Sequence, residues 1–161
     1  MIYFTSDQHF DHINVIKYCD RPFKDIKTMN NTIIKNYNNI ISNEDIVYML
    51  GDFSLYGPTH KLAVEVFVQK LRGQKHLILG NHDRLSPSQY LEIGFLSVHT
   101  TLILDDFILV HDPALSILDK SKICLCGHIH NLFKRINNVI NVGVDVWDFN
   151  PVSIEEINDL L

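Results

Sequence analysis

Five short apolar runs in this chain, rich in β-branched and aromatic residues, each end on side chains that bind cations or carry protons. IYFTS leads into Asp7-Gln8-His9, IVYML into Gly51-Asp52, HLIL into Gly80-Asn81-His82-Asp83, FILV into His111-Asp112, and KICLC into Gly127-His128-Ile129-His130. Runs of this length and composition read as buried strands, placed at residues 2–5, 46–50, 76–79, 107–110, 123–126 and 139–142. Between them, residues 25–41, 59–71 and 87–93 carry apolar positions at helical spacing. A last helix over 154–161 follows Pro151, with Ser153 as its N-cap. Strands alternating with helices predict a layered α/β fold. In open α/β sheets ligands bind beyond the carboxyl ends of the strands, so residues distant in sequence are expected to meet there.

The chemistry of such a cluster follows from its donors. Carboxylate, amide oxygen and imidazole together suit hard-to-borderline divalent ions: manganese first, with iron, zinc, nickel or magnesium as alternatives. Asp7, His9, Asp52, Asn81, His111, His128 and His130 are too many ligands for one four-coordinate ion. Two ions about 3.5–4 Å apart, bridged by one carboxylate, would use them all, and Asp52 is the expected bridge. Gly51, Gly80 and Gly127 each precede an expected ligand, where the lack of a Cβ lets backbone approach the ions closely. Cys124 and Cys126 fall inside an apolar run, too close together for a structural zinc pair, and are expected to pack as small hydrophobes.

Composition sets the remaining bounds. A chain of 161 residues, 46% hydrophobic, fits one domain over 1–161 with one substantial core. No run reaches the roughly eighteen apolar residues of a membrane span. The start MIYFTSDQH lacks a signal-peptide pattern. Three cysteines without a disulfide-like spacing fit a reducing compartment, so a cytoplasmic protein with no membrane partner is expected. The net charge of −5 offers no electrostatic footprint for long nucleic acid. A homo-oligomer built through sheet edges or helix packing is compatible with the sequence.

Asp7-x-His9, Gly51-Asp52, Gly80-Asn81-His82-Asp83, His111 and Gly127-His128-x-His130 stand in an order and spacing that resembles the calcineurin-like metallophosphoesterases, in particular their short, capless bacterial and phage-type members. The stretches HFDHINVIKYCDRPF and NVGVDVWDFNPVS share that texture. The resemblance implies a four-layer αββα sandwich of two facing mixed sheets. It implies one ion on Asp7, His9, Asp52 and His130, and the other on Asp52, Asn81, His111 and His128. It also implies attack on phosphorus by a metal-bridging hydroxide, with Asn81 helping to hold the phosphoryl oxygens. His82, the motif histidine left off the metals, would protonate the leaving group or stabilise the developing charge, and Asp83 is a possible partner that keeps it charged.

Arg21 and Asn14 are expected to contact substrate. Arg84 and Arg135 read as solvated; His12, His60, His76 and His99 as ordinary structural histidines; Asp11, Asp112, Asp145 and Asp148 as turn or surface carboxylates. Protein phosphatases of the superfamily carry an Asp-Arg pair and a further Arg where this chain reads Leu55-Tyr56 and Leu79, which disfavours a phosphoprotein substrate. A small phosphodiester, nucleotide or cyclic nucleotide, or a phosphomonoester is the expected substrate. A nuclease acting on single strands and a non-catalytic scaffold are the alternatives.

Overall fold

A computed structural model describes residues 1–56, 58–118 and 121–161, without describing the side chains of 58 and 116–118. In chain order the elements are β1 (Ile2–Thr5), α1 (Ile13–Tyr18), α2 (Ile26–Ile40), β2 (Ile46–Met49), α3 (Lys61–Lys70), β3 (Gln74–Ile78), α4 (Pro87–Glu92), β4 (Ser97–His99), β5 (Thr101–Leu104), β6 (Phe107–Val110), β7 (Ile123–Cys126), β8 (Arg135–Ile136), β9 (Val139–Asn141), β10 (Val152–Ser153) and α5 (Ile154–Asn158). The strands form two mixed sheets, ordered β10-β1-β2-β3-β4 and β5-β6-β7-β9-β8. β1, β2, β3 and β4 run parallel with β10 antiparallel at one edge. In the second sheet β6, β7 and β9 run parallel, flanked by antiparallel β5 and β8.

The alternation of side chains along each strand builds the layers. Val47 and Met49 of β2 join Met29, Ile33 and Tyr37 of α2 and Val64, Phe67 and Val68 of α3 in one buried cluster. Tyr48, between them in sequence, points the other way, into a second cluster where Phe4, Leu50 and Ile78 meet Phe107, Leu109, Leu125 and Ile140 of the facing sheet. On the outer face of that sheet Ile108, Val110, Cys124 and Cys126 pack together. The two cysteines are thus buried in an apolar layer, and the cover there is a 3-10 segment, Pro113–Leu118. Two facing sheets, with α2 and α3 packed on the first, make the sandwich that the sequence resemblance implies.

Several elements begin where the sequence places a cap. Asp25 accepts from Thr28 N at 2.7 Å to start α2, and Ser153 forms a capping box with Glu156 to start α5. Among the described residues no helix is long and apolar enough to cross a membrane.

The carboxyl ends of β1, β2, β3, β6 and β7 meet at one edge of the sandwich, stitched by backbone bonds. Asp7 N donates to Gly51 O and His9 N to Asp52 O, both at 3.0 Å; Gly127 N donates to His111 O at 3.0 Å, and Val144 N to Ser6 O at 3.0 Å. The last of these joins the end of β1 to the loop after β9, and so one sheet to the other.

Candidate metal and active site

Backbone strain marks the edge where the strands end. Asp7, His9, Asp52, His128 and His130 all have positive φ, between 46° and 69°. The left-handed region disfavours L residues, although Asp and His tolerate it better than most. Five non-glycine residues held so within one cluster is the concentration of strain typical of functional sites.

Close approach accompanies it. A Cβ at Gly127 would lie 1.9 Å from Ser6 Oγ and 2.6 Å from Asp7 Oδ2, and one at Gly80 would lie 2.3 Å from Asp52 Oδ1. Only glycine lets these loops sit against the carboxylates.

Asp52 stands at the centre. Its Oδ1 accepts from His82 N at 2.8 Å, and its Oδ2 lies 3.4 Å from both His9 Nε2 and His111 Nε2. On one side, ligand atoms of Asp7, His9 and His130 lie within 4.8 Å of one another; on the other, those of Asp52, His111 and His128 do. Asn81 Oδ1 is 3.0 Å from His111 Nε2 and 3.1 Å from His128 Nδ1, which places it with the second group. All seven residues expected as ligands therefore come together.

Neighbouring groups decide which ring nitrogens remain open. His111 Nδ1 donates to Leu50 O at 2.7 Å, leaving Nε2 toward Asp52 and Asn81. His130 gives Nδ1 to Asp145 Oδ2 at 3.1 Å, leaving Nε2. His9 Nδ1 meets His12 Nδ1 at 3.2 Å. Its Nε2 is buried without a hydrogen-bond partner. A buried orphan nitrogen is rare, and this one faces a carboxylate across a gap, as a cation ligand would. Asp7 lies at 0% exposure, its carboxylate held by His128 N at 3.0 Å. The donor set fits divalent cations on both sides of Asp52.

The ionisation of the same groups points the same way. Burial pushes the Asp7 carboxyl up and holds the His9 imidazole down to about 2, so His9 is neutral and ready to ligate. Burial also opposes charge on Asp52, but hydrogen bonds from His111 and His82 and the nearby imidazoles outweigh it and hold that carboxyl at about 2. At His111 burial again works against a proton, yet the hydrogen bond to Asp52 and the charges of Asp7 and Asp52 prevail and raise it to about 9. At His130 burial is outweighed by Asp145, Cys19 and Asp7, which raise it to about 10. Protons on these two rings thus stand in for cations near the carboxylates.

Metal uptake should release those protons. Only neutral His111 and His130 can ligate, so apparent affinity is expected to rise with pH below about 9 and to flatten above about 10. Calorimetry of manganese binding near pH 7 in buffers of different ionisation enthalpy should report release of one to two protons, and pH-independent affinity between 6 and 8 would refute this.

The geometry places three further residues singled out from the sequence. Arg21, expected to contact substrate, is 4% exposed and its guanidinium is engaged within the chain, with Nε and Nη2 on Asp145 at 2.7 and 2.8 Å, Nη2 also on Asp7 O at 2.7 Å and Nη1 on Gln8 O at 3.1 Å. It braces the Asp7 turn. Asn14 is exposed on α1 but is not among the residues lining the cavity described below. Asp83 does not pair with the His82 ring; its oxygens accept from Gly80 N, Asp52 N and Phe53 N at 2.9, 2.9 and 3.0 Å, clamping the loops after β2 and β3 together. Burial, reinforced by the charge of Asp52, raises its carboxyl to about 6 against the backbone donors.

Two residues read from sequence as bland belong here. Asp145 lies between Arg21 and His130, and orients the latter. Replacing it with asparagine is expected to weaken metal binding about 10–100-fold, as loss of such an orienting carboxylate does elsewhere; equilibrium dialysis would measure it. His12, 8% exposed, backs His9 and lies 5.6 Å, ring to ring, from His82. Its place in HFDHINV, three residues after His9, was the available signal.

His82 packs edge-on to His9, with ring centroids 5.2 Å apart, and its Nδ1 is buried without a hydrogen-bond partner. With His9, His12, His128 and His130 it lines a cavity of about 590 Å³.

Comparison with known proteins agrees with this picture. The chain is 38% identical over 168 residues to the uncharacterized protein MJ1445 of Methanocaldococcus jannaschii, covering 99% of this chain and 90% of that protein. It is 26% identical to the Gene 66 protein of Mycobacterium phage L5, covering 99% and 93%. Among solved structures, the protein of unknown function AQ665 from Aquifex aeolicus superposes with a TM-score of 0.78 at 26% identity, covering 100% of this chain and 99% of that one. The Pseudomonas putida nuclease MPE superposes with a TM-score of 0.53 at 19% identity over 80% of this chain and 61% of that one, a likeness of fold alone. The family model for calcineurin-like phosphoesterases matches residues 1–151, the span that holds every ligand named above. With that match and the two-sheet sandwich closing on one cluster of carboxylates and imidazoles, this chain belongs to the calcineurin-like phosphoesterase family.

Proposed function

We propose that the chain hydrolyses a small phosphoester, a phosphodiester before a monoester, using two divalent cations, manganese by preference. The observation that carries this reading is Asp52 Oδ2, set 3.4 Å from one imidazole of each ligand group. Asp7, His9, Asp52 and His130 would hold one ion, and Asp52, Asn81, His111 and His128 the other. When bound, such ions act as Lewis acids on a phosphoryl oxygen and lower the pKa of water.

The chain's own residues supply the rest. Asn81 turns its side-chain oxygen to His111 and His128, which leaves its amide N–H groups for a phosphoryl oxygen. His82, on the cavity wall, passes a proton to the departing oxygen. Arg21 and Asp145 keep the Asp7 turn and His130 in register with these groups.

A nuclease acting on single strands is the second reading, since the same ligand set could serve a polymeric diester. The net charge of −5 weighs against a long polyanion. The intact ligand set weighs against a non-catalytic scaffold.

The test is to strip metals with a chelator, restore manganese, iron, zinc, nickel or magnesium in turn, and assay bis(p-nitrophenyl) phosphate, p-nitrophenyl phosphate and a single-stranded oligonucleotide. Metal-dependent diester turnover exceeding the other two is expected. Silence on every ester with every metal would overturn the reading.

A further inference from the structure

The cavity beside His82 has two unlike sides. Its floor is the imidazole group of the site; its walls are Val15, Tyr18 and Cys19 from the end of α1, and Ile129 and Leu132 from the loop after β7. The walls are tied at their base, where Asn131 Nδ2 donates to Cys19 O at 3.2 Å. Tyr18 and Leu132 are 76% and 75% exposed, at the top of the range for large apolar side chains among the described residues, and both line this one cavity. Tyr18 also meets the His12 ring edge-on, with centroids 6.4 Å apart, so its position is coupled to the floor. At about 590 Å³ the cavity is of the size that small-molecule ligands occupy, roughly 300–1,000 Å³.

The charge of the lining is equally informative. Among the described residues, no lysine or arginine lines this cavity. Arg21, close in sequence, is held inside by Asp145 and the carbonyls of Asp7 and Gln8. Beyond the cations proposed at its floor, a substituent carrying further phosphates would meet no lysine or arginine on the walls, whereas a neutral ring would cover Tyr18 and Leu132 and remove their apolar surface from water. His128 lines this cavity and also a smaller one of about 320 Å³ on the Asn81 and His111 side, so the metal cluster has a recess on each flank. Two recesses suit the two substituents of a diester.

We propose that the α1 cavity is the leaving-group site, that it selects an uncharged, ring-bearing alcohol, and that Tyr18 and Leu132 are its specificity-determining residues. This rests on the hydrolase reading above. In the step it serves, the P–O bond to the ring-bearing group breaks and a new P–O bond forms to a water oxygen. The departing oxygen takes a proton from His82, the proton lost by water passes to solvent, and solvent returns one to His82.

The experiment is steady-state hydrolysis of bis(p-nitrophenyl) phosphate by the manganese-loaded wild type and by Tyr18→Ala, Leu132→Ala and the double variant. Both side chains are exposed and neither stands among the grouped ligand atoms; because Tyr18 meets His12, the metal content of each variant is measured alongside. A ring stacked on an aromatic side chain is held about 5–150-fold more tightly than on alanine, so KM in the double variant should rise at least about fivefold, with kcat within about threefold of wild type. A KM within twofold of wild type, with metal still bound, would overturn the assignment of the cavity and leave the hydrolase reading standing. Failure of the wild type to hydrolyse the diester overturns that underlying reading instead, and the two failures are read from different samples.

Discussion

His82→Ala is expected to lower kcat for a phosphodiester by about 10²–10⁴-fold, the range a positioned acid or base contributes, while both cations stay bound. The reason lies in how the residue is divided. Its backbone N–H fixes Asp52 Oδ1 at 2.8 Å, a bond that survives any substitution except proline. Its ring contributes to the cavity wall and packs on His9 without standing among the grouped ligand atoms. Loss should therefore fall on turnover and spare metal content, measured together by stopped assay and elemental analysis. If the leaving group is a good one, such as p-nitrophenolate, protonation matters less and the deficit should shrink. An undiminished kcat on a poor leaving group would remove His82 from the chemistry.

The largest expected effect on stability comes from Arg21. The guanidinium and the Asp145 carboxylate are 0% and 3% exposed, joined by two hydrogen bonds, with Asp7 O and Gln8 O taking further donors. Truncating Arg21 leaves Asp145 with His130 as its remaining cationic partner and strands the carbonyls of Asp7 and Gln8, so the cost should approach the ~3–5 kcal/mol of a broken buried pair. That is a large fraction of the ~5–15 kcal/mol that holds a domain together. Urea denaturation of metal-free Arg21→Met should show a midpoint lowered by at least about 1 M. A shift near zero would mean that the Arg21–Asp145 pair is not the brace described here. Lysine should rescue little, since a single ammonium cannot reproduce the forked contact.

Much of the site could be read from sequence because its residues follow strands, and strands are legible. β1, β6 and β7 begin and end where the apolar runs do, and Asp7, His111 and His128 lie just beyond them. The division into two sheets was not legible from those runs, since a buried parallel strand reads alike in either. The chain changes sheets between β4, which pairs with β3, and β5, which pairs with β6, with only Thr100 between them. Neither strand was expected. β4 has three residues and β5 alternates little, so pairing with a neighbour defines them more than composition does. α1 escaped for a related reason: it is six residues long, and His12 at its start makes no side-chain cap.

The residues around the ligands were the harder part. Asp145 and His12 act on neighbours 15 and 3 positions away, and Asp83 on neighbours 3, 30 and 31 positions away, through bonds that only the folded chain creates. Arg21 was singled out as a phosphate clamp because a forked cation near a ligand pair fits that use. Which acceptor it finds depends on Asp145, 124 residues further on. Tyr18 and Leu132 gave no motif at all, and only their shared exposure at one cavity draws notice.

Everything proposed for the chemistry depends on two cations meeting at Asp52. The direct measurement is the stoichiometry of manganese bound to the stripped, folded chain, by calorimetric titration checked against elemental analysis. Two ions per wild-type chain are expected, with tight binding at both positions lost in Asp52→Ala. A folded wild-type chain that saturates at a single ion, or binds none, contradicts the account.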